Sequence, residues 1–75
     1  MTKYDIYFWR FPKANKLIKM ENVPEEQVSV YTNAWLDKYE DSDCMIVAED
    51  DEFVATNECI VTLATDAWIK QNLTV

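Results

Sequence analysis

The 75-residue chain has no glycine, no histidine, only two prolines and only two cysteines. Tight type I′ and II′ hairpin turns, left-handed helix caps and phosphate-cradling loops all rely on glycine, so each turn must use Pro, Asn, Asp or Ser, or a longer loop. The lack of histidine removes the commonest general base and the commonest transition-metal ligand. Cys44 and Cys59 are too few for a disulfide framework and lack metal-type spacing. No uncharged apolar run approaches the roughly 20 residues that span a bilayer, and Met1-Thr2-Lys3 leads into no signal-type apolar core. These absences predict a cytoplasmic protein with no membrane segment, acting in the host cytoplasm if a phage encodes it.

What is present is apolar and aromatic. The chain is 49% hydrophobic and 13% aromatic, with Trp9, Trp35 and Trp68 spread over its three thirds. That composition rules against disorder, while the length allows one domain (residues 1–75) near the lower limit for a self-sufficient core.

The stretch from Asn22 to Glu40 organises the rest. Asn22 with Glu25 three positions on reads as a capping box, Pro24 falls in the first turn, and Glu25 and Glu26 suit the positive helix end. At 100° per residue Val28, Tyr31, Trp35 and Tyr39 form one stripe, flanked by Thr32 and Leu36. Glu26, Asn33, Asp37 and Glu40 take the far side, and only Val30 is misplaced.

Lys3 to Phe11 is rich in strand formers. One face carries Tyr4, Ile6, Phe8 and Arg10, the other Asp5, Tyr7, Trp9 and Phe11. Pro12 to Asn15 reads as a loop and Lys16 to Met20 as a return strand. Beyond the helix, Cys44 to Ala48 is an apolar run bounded by acids and reads as a buried strand. Glu49 to Glu52 reads as a charged turn, Phe53 to Thr56 as a weak segment, and Glu58 to Ala64 as another strand. Thr65 is placed to cap a short helix over Asp66 to Asn72, although Ala67, Ile69, Leu73 and Val75 also alternate as in a strand. The expected fold is a small α+β domain: an N-terminal β-hairpin, one amphipathic helix packed on a mostly antiparallel sheet, and a short C-terminal helix or strand.

Charge is strongly segregated. Residues 1–20 hold five bases against the single acid Asp5, a balance of +4; residues 21–75 hold two bases against thirteen acids, −11, for the net −7. Asp37, Glu40, Asp41, Asp43, Glu49, Asp50, Asp51 and Glu52 lie within sixteen residues that contain only Lys38 as a base. An extended strand over 44–48 sets the two acid groups roughly 15–20 Å apart. Such a surface repels nucleic acid and steers a basic protein towards it, a nucleic-acid-binding protein included. The bland reading is a solvated surface that keeps an apolar protein soluble. No EF-hand glycine or ligand spacing is present, and neighbouring acids in a turn stay ionised, so no metal, no cofactor and no catalytic residue are expected.

Tyr7, Trp9 and Phe11 have three readings. The C-terminal element covers them as a second small core, or they stay exposed as a hot spot for a protein partner or homodimer, or they join Arg10, Lys13 and Lys16 as a single-stranded nucleic-acid platform. The acidic remainder argues against the third. A simple hairpin about Asp50–Phe53 would bring Cys44 opposite Cys59, as two reduced, buried cysteines.

With no nucleophile beside a base, the sequence predicts a non-enzymatic acidic inhibitor that occupies a basic surface on a protein partner, with nucleic-acid charge mimicry as one form of it. The alternative is an interaction subunit or homodimer built on the aromatic N-terminal hairpin. In general kind, not in any motif residue, the chain resembles the small inhibitors and host-takeover proteins of phages and mobile elements.

Overall fold

The aromatic N-terminal segment becomes an inner strand of the sheet. The computed structural model describes residues 2–13, 15–48, 51 and 59–73. Its elements are β1 (Lys3–Arg10), β2 (Lys16–Pro24), α1 (Glu25–Lys38), β3 (Ser42–Ala48), β4 (Ile60–Leu63) and α2 (Asp66–Asn72). The four strands lie in the order β3-β1-β2-β4; β1 is antiparallel to both neighbours, and β4 runs parallel to β2. The expected α+β architecture is thus present, and its last element is a helix.

Ile6 and Phe8 point to the face that carries both helices. Opposite them in register stand Met20 and Ile18 of β2 and Ile46 and Cys44 of β3. Ile6, Phe8, Val23, Trp35 and Leu73 form the buried core, with Trp68 and Ile69 of α2 packed against it. Each large apolar side chain buried there stabilises the fold by roughly 1.5–3 kcal/mol. Phe8 meets Trp35 edge-on at 5.4 Å and Trp68 at 5.6 Å, and Trp35 meets Tyr39 at 4.8 Å. The C-terminal element therefore lies beside α1, and not over the opposite face as one reading of the sequence had it. Leu73 and Trp68 supply the reason, since they complete the core that Trp35 opens.

The start of α1 also differs from expectation. Asn22 is not its cap: Pro24 takes that position, with no side-chain cap bond, and β2 runs on to Pro24 instead of stopping at Met20. Val23 precedes a proline, which disfavours helical backbone there, and extended backbone buries it opposite Tyr4. Between the Ile6–Met20 and Tyr4–Val23 pairs β2 holds one extra residue, a bulge. Asn22 sits in it with φ 56°, and its amide donates to Asp5 Oδ1 at 3.2 Å.

β3 and β4 do not pair. They occupy opposite edges of the sheet, so Cys44 and Cys59 are separated by two strands and are not joined in a disulfide. A run such as Cys44–Ala48 announces a strand but not its neighbour. Here it is an edge strand, half-buried instead of enclosed, with Ile46 exposed. Pairing with β1 places Cys44 beside Phe8 under α1, which a β3–β4 hairpin would not do. The charged turn at 49–52 lies outside the described residues except Asp51, and the segment 53–56 and Glu58 lie wholly outside them.

Candidate functional site

The acidic surface is built where α1 hands the chain to β3. The helix ends at Lys38, and Tyr39 leaves it in extended conformation with its amide donating to the Trp35 carbonyl at 3.1 Å. Ser42 Oγ donates to the Tyr39 carbonyl at 2.5 Å, closing the turn that carries Glu40 and Asp41. Trp35 Nε1 donates to the Asp43 carbonyl at 3.0 Å, which ties the first residues of β3 to the core. The Tyr39 hydroxyl donates to Asn72 Oδ1 at 2.6 Å, anchoring the same corner to α2. These bonds hold the backbone under the acids in one geometry.

The eight acids do not play one part. Asp41 is engaged within the fold: Arg10 Nη2 donates to its two carboxylate oxygens at 3.2 and 3.4 Å, and its carbonyl accepts from the Phe11 amide at 2.8 Å. The Arg10 guanidinium also stacks 4.1 Å over the Tyr39 ring. Asp43 is exposed, and its Oδ1 accepts from the Cys44 amide at 2.8 Å. Asp37 and Glu40 are exposed and, among the described residues, in no ion pair. Lys38, the single base of the stretch, donates its ammonium to the Gln71 carbonyl of α2, away from these carboxylates. Asp51 is exposed just past the far end of β3, with its amide donating to the Ala48 carbonyl at 3.0 Å. Glu49, Asp50 and Glu52 lie outside the described residues. Five residues of β3, 44–48, lie between Asp43 and the far end of the strand, roughly 15–20 Å of extended chain.

The aromatic residues singled out from the sequence divide by burial. Tyr7 is 6% exposed, Trp9 is half-buried, and Phe11, just beyond β1, is 50% exposed. Tyr7 and Trp9 stand on the face opposite the helices. There the Lys19 ammonium lies 5.6 Å from the Tyr7 ring centre and 3.7 Å from Asp5. Burial acts against its charge, but Tyr7, Glu21 and Asp5 together outweigh that and raise its pKa above the usual 10.5.

A feature missed in the sequence is a cleft of about 260 Å³ at the end of β1. Arg10, Lys13 and Lys16 rim it, over a floor that includes Phe8, Trp35, Tyr39 and Trp68. The tryptophan spacing along the chain gave no hint that two of the three would meet; only the aromatic richness of each segment was visible. Among the described residues no group of three or more His, Cys, Asp or Glu is placed to hold a metal ion, and no helix is long and apolar enough to cross a membrane.

No protein-family model, no curated protein and no solved structure matches the chain.

Proposed function

We propose that this chain is a non-enzymatic binding protein whose acidic corner occupies a basic surface on a protein partner. The observation that carries the reading is the state of Asp37, Glu40 and Asp43. They are exposed carboxylates on an anchored backbone, and the nearest base in sequence is turned to α2. Anchoring matters because charges held in place bind without first losing conformational freedom. The net charge of −7 favours approach to a basic surface. A partner that itself binds nucleic acid fits this chemistry, because its own site already selects rows of negative charge. Capture of the partner would block that site. Asp41 contributes to the structure of the corner more than to contact.

The test is a pull-down from the native host followed by kinetics on the captured partner. Triple reversal of Asp37, Glu40 and Asp43 to Lys is expected to slow association by about tenfold or more while leaving the fold intact, since exposed charges act mainly on encounter. Raising salt should weaken the wild-type complex in the same way, because the Debye length is only about 8 Å at physiological ionic strength. Binding indifferent to both salt and reversal would overturn the reading.

A further inference from the structure

We propose that β4 pairs with β4 of a second copy of this chain, antiparallel about a two-fold axis at Thr62, so that two four-stranded sheets become one of eight. Edge strands of monomers are commonly blunted by charge, proline or a covering segment. β4 has none of these among the described residues. From Cys59 to Thr65 the sequence carries no charge and no proline. All four of its residues are exposed, Ile60 at 59% and Leu63 at 58%.

The hydrogen-bond pattern sets the register. Ile60 and Ala64 donate inward to the Asn15 and Lys19 carbonyls of the β2 side, both at 2.8 Å. By strand alternation Thr62 also faces inward, which leaves the amides and carbonyls of Val61 and Leu63 directed to the edge that has no neighbouring strand among the described residues. A second copy placed antiparallel and centred on Thr62 sets Val61 opposite Leu63 and Leu63 opposite Val61, satisfying all four groups in each copy with four bonds. Side chains then match by face: Thr62 meets Thr62, and Ile60 meets Ala64. An odd register would bring side chains from opposite faces together, and a Val61-centred one would need Cys59, which precedes the strand.

A contact at this edge keeps the acid-bearing parts of two molecules of net −7 apart. The strand beside β4 carries Lys16 and Lys19, whereas Asp37 on α1, Glu40 in the turn that follows it and Asp43 on β3, the opposite edge strand, lie away from it. Joined through β4, the two acid-bearing β3 edges lie seven strand spacings apart, roughly 34 Å. The contact is small, below the roughly 1,200 Å² of standard stable complexes, so the dimer forms only as concentration rises.

The experiment is sedimentation equilibrium of the full chain from about 5 to 500 μM, in the range where small interfaces associate. The expected result is a mass that doubles across the range. Val61→Pro removes an outward amide without touching the β2 ladder and should hold the chain monomeric at every concentration. Thr62→Cys, in a Cys44→Ala, Cys59→Ala background, should form an intermolecular disulfide under mild oxidation, because a non-hydrogen-bonded antiparallel pair sets its Cα atoms about 4.5 Å apart. Where Val61→Pro or the cysteine-free background fails to fold by circular dichroism, Thr62→Lys replaces the first, and mass mapping in the wild-type background replaces the second. A wild-type chain monomeric throughout, a dimer untouched by the edge substitution, or an unlinked Thr62→Cys chain each overturns the proposal. A monomer whose edge instead captures a strand from another protein counts among the overturning results.

Discussion

Asn22 illustrates how a chain without glycine manages backbone that glycine would ordinarily take. Its φ of 56° lies in the left-handed region, where Asn is tolerated and β-branched residues are not. The bulge leaves the Asn22 amide free of the β1 ladder, and Asp5 accepts from it. Asn22→Gly is therefore expected to change stability by less than about 1 kcal/mol, whereas Asn22→Val should cost about 1–2 kcal/mol, read as the shift in urea midpoint at constant slope. An equal response from both would mean that the position is not left-handed in solution. Cys44 shows a different residue-level effect: burial, then the neighbouring Asp43, push its thiol above the ordinary 9.0, so it behaves as a small apolar side chain under α1.

At the level of the element, α1 follows its own periodicity. Thr32 and Trp35 are buried, Val28, Tyr31 and Tyr39 are half-buried, and Asp37 and Val30 face solvent. Trp35→Ala removes the ring that touches Phe8, Tyr39 and Trp68 and the Nε1 bond to β3, and should cost about 3–5 kcal/mol. Asp37→Ala, two positions on, should change stability by less than about 0.5 kcal/mol. Chemical denaturation of the pair checks the orientation of the helix, and similar values would mean that it is turned another way. The sequence left α2 open between helix and strand; the structure makes it a helix, with Thr65 Oγ1 accepting from the Trp68 amide at 3.1 Å as its cap. The start of α1 was not legible in the sequence, because a capping pattern and a pre-proline residue compete there and burial of Val23 favours the strand.

For the whole molecule, charge dominates behaviour in solution. At neutral pH the net −7 keeps an apolar, aromatic-rich chain dispersed, and the sequence isoelectric point is about 4.3. Acidification removes that repulsion and leaves the exposed Phe11, Val30, Ile60 and Leu63 unopposed. Light scattering should therefore rise sharply between about pH 5 and pH 4, and added salt at pH 7, which screens the same repulsion, should reproduce part of it. Scattering that stays flat through the isoelectric region would mean that the apolar surface is covered. The acidic corner was visible in the sequence as a density of carboxylates. Its division into Asp41, engaged by Arg10 from β1, and the open Asp37, Glu40 and Asp43 was not, because Arg10 lies 31 positions away.

The sequence by itself determined the approximate places of the strands and of α1, the buried stripe of α1 around Trp35, and the segregation of charge along the chain. All of these depend on residues within a few positions of one another, where helix and strand periodicity act directly. Only the tertiary structure decided that β3 and β4 part to opposite edges, that α2 joins α1 on one face, and that Asn22 sits in a bulge. Strand neighbours are chosen by which distant side chains bury one another, Cys44 beside Phe8 and Leu73 against Trp35, and that choice is not written in the spacing of either segment.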